Sequence, residues 1–170
     1  MNTRRVSFLG VLVALALALH LLEAQIPSPL PWVRPGFANL MTLIALLTSG
    51  WQAGLLVMLV RVIIGALLLG GFLSPAFALS LAGGLAGTLA MALMLRGAWR
   101  LWSPLAMSAA GAVAHGGAQV LVLAALLVRT GDLSWLLPWV LVPSLISGIV
   151  TGVLANLVLL RWQWYFRGMA

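Results

Sequence analysis

Arg61 stands in the middle of the apolar run from Gly54 to Leu69, a stretch long enough to cross a bilayer. A guanidinium cannot shed its proton, so at that depth it needs a counter-ion, a hydrated cavity or a ligand. The chemistry on offer is capture of an anion. Other polar side chains stand at comparable depth in other apolar runs: His20 with Glu23, Asn39 with Thr42, Ser80, and His115 with Gln119. Residues three or four apart share a helical face, so each of the three pairs projects into one space. In a binding cavity Arg61 supplies the fixed positive charge, His115 and Gln119 hydrogen bonds at the floor, and Asn39, Thr42 and Ser80 orienting contacts. Glu23 balances Arg61 when no anion is bound. A structural reading stands beside each assignment. Glu23 is equally an interfacial acid at a helix end, Arg61 the partner of Glu23 or of exposed carbonyls, His115 with Gln119 interhelical glue, and Asn39 with Thr42 a helix start.

The elements that must position these residues follow from composition. Hydrophobic residues make up 64% of the 170-residue chain and charged residues 6%, which is the composition of an integral membrane protein. Six apolar runs, about 6–26, 37–50, 51–70, 76–96, 105–128 and 136–160, are separated by Pro, Gly, Trp and Arg clusters. They predict an all-α fold, a compact bundle of six transmembrane helices forming a single domain over residues 1–170. The run 51–70 follows 37–50 directly, so a merged segment over 37–70 would leave five spans. Charge favours six. Arg4, Arg5, Arg96, Arg100, Arg161 and Arg167 then lie in the cytoplasm with both termini, and Arg34 and Arg129 lie outside. Six spans also put Trp32, Trp51, Trp99, Trp102, Trp135, Trp139, Trp162 and Trp164 near span ends, where indole rings prefer the headgroup boundary. The first run is longer than a signal-peptide core and lacks a convincing cleavage site before Pro27, so it reads as a retained span.

Small residues form a second pattern. Gly10, Ala14 and Ala18 recur on helix 1, and Ser80, Gly84, Gly87 and Met91 follow a face of helix 4. Ser108, Gly111, Ala112 and His115 do so on helix 5, and Ser144, Gly148, Gly152 and Asn156 on helix 6. Such faces let helix backbones approach closely in lipid, within this chain or against another membrane subunit.

Several function classes are poorly served. All nine basic residues are arginines scattered between apolar runs, without the solvated basic face of a nucleic-acid binder. Cysteine is absent, no P-loop is present, no nucleophile and base pair stands out, and the sequence calls for no metal or other cofactor. The chain reads as a non-enzyme.

Taken together, several strings resemble the Gx transporter family, also labelled heptaprenyl diphosphate synthase component I-like. They are Glu23-Ala-Gln-Ile-Pro27, Pro35-Gly-Phe-Ala-Asn-Leu-Met-Thr-Leu43, Arg61, Gly71-Phe-Leu-Ser-Pro-Ala-Phe-Ala-Leu-Ser80, Gly83-Gly84 with Met91, and Ser108-Ala-Ala-Gly-Ala-Val-Ala-His115 with Gln119. The likeness runs from about Val11 to Asn156. Gly116 departs from it, since the family favours Asn after the His. The two labels imply different biochemistry. Prenyl elongation needs Asp-rich clusters to hold Mg²⁺ on a diphosphate, and this chain has one Asp, Asp132, and one Glu. The family is also similar to the S components of energy-coupling factor transporters. By that resemblance the chain is a multi-pass protein of a bacterial cytoplasmic (inner) membrane that captures a small vitamin-like, flavin-like or isoprenoid/quinone-precursor molecule. Its partners are the lipid bilayer, the small-molecule ligand and the T-component and ATPase subunits, and Ala14 with Ala18 resembles the element that docks onto them. The alternative is a non-catalytic accessory or scaffold subunit for isoprenoid or quinone synthesis or a membrane redox complex.

Overall fold

The computed structural model describes residues 3–26, 36–98, 102–127 and 135–167. Within them the chain forms six helices and no strand: α1 (Thr3–Gln25), α2 (Ala38–Ser49), α3 (Trp51–Leu68), α4 (Pro75–Ala98), α5 (Pro104–Leu127) and α6 (Leu136–Arg167). Arg34, Arg100, Arg129, Asp132, Trp32 and Trp99 lie outside the described residues, as do the side chains of Trp164 and Arg167.

The helix boundaries have local causes. Ser74 Oγ accepts the Phe77 N–H at 3.2 Å and Ser103 Oγ accepts the Ala106 N–H at 3.2 Å, so each serine caps the helix that follows. Each is followed by a proline, whose missing N–H costs nothing at the first helical position. Between α2 and α3 there is a single residue, Gly50, at φ 92°. Only glycine holds that conformation without strain. The stretch 37–70 is therefore a hairpin and not one long segment: Gly54 lies against Leu46 and Thr42, and Arg61 reaches Asn39. Five helices are long and apolar enough to cross a membrane. The sixth, α2, has 12 residues and covers only about 18 Å, short of the ~30 Å hydrocarbon core.

Side-chain contacts fix the helix directions. An Arg5 guanidinium nitrogen donates to the Ser49 carbonyl at 2.6 Å, joining the start of α1 to the end of α2. The Arg96 guanidinium lies 4.9 Å from the centre of the Trp51 ring, joining the end of α4 to the start of α3. Gly87 faces Gly111, and Gly148 faces Ala112, so α5 runs antiparallel to both α4 and α6. Phe8 and Trp162 have ring centres 5.3 Å apart, which brings the start of α1 and the end of α6 to the same end of the bundle. Arg4, Arg5, Arg96 and Arg161 thus gather at one end. His20, Glu23, Asn39 and Gln119 lie toward the other.

The inward faces follow the helical repeat. Leu9, Leu12, Ala16, His20 and Glu23 are the buried residues of α1, and Gly54, Val57, Met58, Arg61, Val62 and Gly65 lie on the buried face of α3. Arg61 therefore points inward because it shares register with residues that pack. Val11, Leu15 and Leu22 face outward, as suits contact with lipid.

The small-residue faces divide by helix. On α4, α5 and α6 they are spent inside the chain. A Cβ at Gly87 would lie 2.8 Å from the Gly111 carbonyl oxygen, one at Gly84 2.7 Å from the Met58 sulfur, and one at Gly152 2.5 Å from the Leu105 Cα. Asn156 departs from its face and is exposed. On α1, by contrast, Gly10, Ala14 and Ala18 are all exposed, and a Cβ at Gly10 would meet nothing within 4 Å.

These contacts predict a paired outcome. Gly54→Leu must displace Leu46 Cβ at 2.9 Å and the Thr42 carbonyl oxygen at 3.3 Å, and is expected to cost about 1–3 kcal/mol. The melting temperature of the detergent-solubilised protein should fall, whereas Gly10→Ala, inside a helix with open space at its Cβ, should not lower it.

Candidate functional site

The site begins with a helix that cannot cap itself. The residue before α2, Phe37, offers no side-chain hydrogen bond to its first turn. The missing acceptor comes from another helix: Glu23 Oε1 of α1 accepts the Ala38 N–H at 3.2 Å. A carboxylate at the positive end of a helix dipole is favourable, more so when shielded from water, and Glu23 is only 4% exposed.

One residue further on, Asn39 Oδ1 accepts a hydrogen bond of 2.9 Å from an Arg61 guanidinium nitrogen. Arg61 is 5% exposed, and Glu23 is near enough for its charge to act on it. A polar chain therefore ties α1 to α2 and α2 to α3 at membrane depth. It does not satisfy Arg61 fully. The buried Nε donates to no partner among the described residues, and such orphaned donors are rare in folded proteins.

Beside Arg61 opens a cavity of about 810 Å³, its mouth included, to which all six helices contribute. His20 and Glu23 come from α1, Asn39 from α2, Arg61 from α3, Ser80 from α4, and His115 and Gln119 from α5. Two glycines make room for its imidazoles. A Cβ at Gly65 would meet the His20 ring at 2.5 Å, and one at Gly83 would lie 2.8 to 2.9 Å from three atoms of the His115 ring. His115 also hydrogen-bonds the backbone of Gly83, which fixes the ring's position as well as its depth.

Six of the seven side chains anticipated for a binding site share this cavity. The seventh, Thr42, does not: it is wholly buried, its backbone carbonyl beside Gly54 of α3, and its hydroxyl finds no partner among the described residues. An orienting contact from Thr42 is therefore replaced by packing in the hairpin. Ser144 and Ser147 of α6 line the cavity instead. Ser144 was legible only as a small residue on a packing face, and Ser147 stood out in no pattern. Pro143, a proline inside α6 that leaves the Trp139 carbonyl without its backbone donor, is the signal that singles out this stretch. Ser144 Oγ donates to the Val140 carbonyl at 2.7 Å.

The donor set suits an anion with further hydrogen-bonding groups. It does not suit a metal ion, since no three of His, Cys, Asp and Glu stand close enough together among the described residues. The seating of His115 can be tested directly. Gly83→Ala should shift the imidazole environment, seen as a displaced His115 ring resonance in NMR spectra of isotope-labelled protein, while Gly117→Ala, where a Cβ meets nothing within 4 Å, should leave it in place.

No curated protein and no solved structure matches the chain. One family model does, described as heptaprenyl diphosphate synthase component I, over residues 12–158. That match takes in all of α2 to α5, most of α1 and α6 and every residue of the cavity, and with the five long apolar helices it identifies the chain as a membrane protein of the heptaprenyl diphosphate synthase component I family.

Proposed function

We propose that this protein is the substrate-binding subunit of a membrane transporter, of the S-component type, and that it captures a small anionic molecule. The observation that carries the reading is the buried Arg61 guanidinium, which borders a six-helix cavity with a donor to spare. Bringing a permanent charge to that depth is costly unless something repays it. Glu23 and Asn39 answer part of the charge from one side, and an anionic ligand answers the rest from the cavity. Glu23 keeps its bond to the α2 N-terminus, so the acid does not have to leave for the ligand to enter.

The end bearing Arg4, Arg5, Arg96 and Arg161 faces the cytoplasm in this reading, by the positive-inside rule. The cavity then belongs to the outer half of a bacterial inner membrane, where it meets substrate before transport. The exposed Gly10, Ala14 and Ala18 stripe on α1 supplies the docking face for T-component and ATPase subunits. Among the described residues nothing lies within 4 Å of a Cβ placed at Gly10.

The family description favours a second reading, an accessory subunit of an isoprenoid-synthesising complex. It leaves chemistry to a soluble partner, for the only acid in the described helices, Glu23, is engaged as a helix cap. Co-purification separates the two. ATPase and T-type subunits support transport, and a soluble prenyl synthase supports the accessory role.

Two outcomes are expected. In binding assays with radiolabelled candidate ligands, Arg61→Ala should weaken the ligand that binds the natural chain by about 100-fold, in line with the loss of one buried charge partner. Unchanged affinity would remove Arg61 from the site. Replacing Ala18 by Trp should cut recovery of co-expressed ATPase subunits severalfold with ligand affinity intact. Equal recovery would show that docking lies elsewhere.

A further inference from the structure

Where the Arg61 cavity narrows, a second one begins. It is small, with room for about one or two waters, and shares Gly36, Asn39, Ala112, His115 and Ser147 with the first. Beyond these it is a slot between α4, α5 and α6. Ser108, in its wall, lies about two helical turns along α5 from His115, or about 10 Å at 1.5 Å per residue. The slot therefore runs from the imidazole toward the arginine-bearing end of the bundle.

Its chemistry differs from that of the first cavity. His115, at the junction, is the only titratable residue in its wall, and no charged side chain lies beyond it. Beyond the shared residues three hydroxyls line it instead, Thr88 from α4, Ser108 from α5 and Thr151 from α6, on residues 3%, 6% and 2% exposed. Hydroxyls inside helices usually return to a carbonyl one turn back, as Thr48 and Ser144 do at 2.7 Å each. Among the described residues Thr88, Ser108 and Thr151 make no side-chain hydrogen bond, and all three line the slot. Three unpaired hydroxyls from three helices converge on one narrow space. The Met91 thioether beside them offers an adaptable apolar surface.

We infer that the slot holds the uncharged, hydrogen-bonding end of the same ligand whose anionic end Arg61 receives. The inference rests on the anion-capture reading and narrows it to a substrate class: an elongated molecule with a carboxylate or phosphate at one end and hydroxyl, carbonyl or amide groups at the other. A hydrocarbon or prenyl tail is the wrong occupant, because it would cover three buried hydroxyls without pairing them. A site built to bond such groups rejects the analogue that lacks them far more strongly than an apolar pocket rejects an extra one. A doubly charged molecule is wrong too, since its second charge would lie in the slot without a counter-ion. His115 and Ser147, common to both cavities, contact the middle of the ligand.

Matched carboxylates test this on the full chain in nanodiscs, by calorimetric titration corrected against empty nanodiscs. The probes are 8-hydroxyoctanoate, octanoate and the prenyl carboxylate geranate. The hydroxylated probe should bind at least about tenfold more tightly than either hydrocarbon. The double substitution Ser108→Ala with Thr151→Val should erase that advantage by weakening the hydroxylated probe without weakening octanoate, with an unaltered melting temperature showing that the near-isosteric variant folds. The slot assignment is overturned if octanoate or geranate matches the hydroxylated probe, or if the advantage survives the double substitution. Arg61→Gln separates the two levels of the argument. If it abolishes binding of all three carboxylates, the anion site stands whatever the slot does. If it leaves them unaffected, or none binds the natural chain, the anion-capture reading fails and the slot assignment falls with it.

Discussion

A permanent charge that must be held at bilayer depth organises this molecule. Arg61 cannot neutralise itself, so its neighbours are constrained to supply acceptors in a medium that offers no water from the lipid side. Asn39 supplies one at 2.9 Å, Glu23 supplies the opposing charge, and the same Glu23 carboxylate caps the helix that carries Asn39. Each of these contacts depends on the next. Without the α2 cap, the start of α2 would lose its acceptor, and Asn39 would lose the position from which it meets Arg61.

The apolar framework is shaped to permit that arrangement. Gly50 turns the chain so that Asn39 and Arg61, each eleven positions from the turn, come level with one another. Gly65 and Gly83 give up side chains where His20 and His115 need room. The glycines along α4, α5 and α6 draw those helices together by dispersion, since lipid provides no hydrophobic drive between helices. In α1 the division of labour differs. One face carries Leu9, Leu12 and Ala16 into the core and His20 and Glu23 to the cavity, while the small residues Gly10, Ala14 and Ala18 stay outside.

Membership of a family described by a synthase component sits beside a chain that offers prenyl chemistry almost nothing. Holding magnesium against a diphosphate needs several carboxylate oxygens, and the described helices contain one carboxylate, already committed to a backbone N–H. What the helices do provide is a cavity bordered by a buried charge and joined to a hydroxyl-lined slot.

The sequence by itself determined the number and placement of the helices, because apolar runs of membrane length separated by Ser-Pro, Gly and Arg breaks leave the backbone few alternatives in lipid. It also marked Arg61, His115, Gln119, Asn39, Ser80 and Glu23 as one cluster, since polar residues at matching depth in a bundle have few places to go. Helical periodicity could not say which way Thr42 turns. Asn39 and Thr42 lie one turn apart on the same helix, yet Asn39 opens to the cavity and Thr42 is wholly buried away from it. Nor could it distinguish small residues that pack inward from those that face out, or reveal that Glu23 caps α2 and that Ser147, Thr88 and Thr151 line the cavities. Those assignments depend on how helices rotate and cross, and only the tertiary packing of all six decides that.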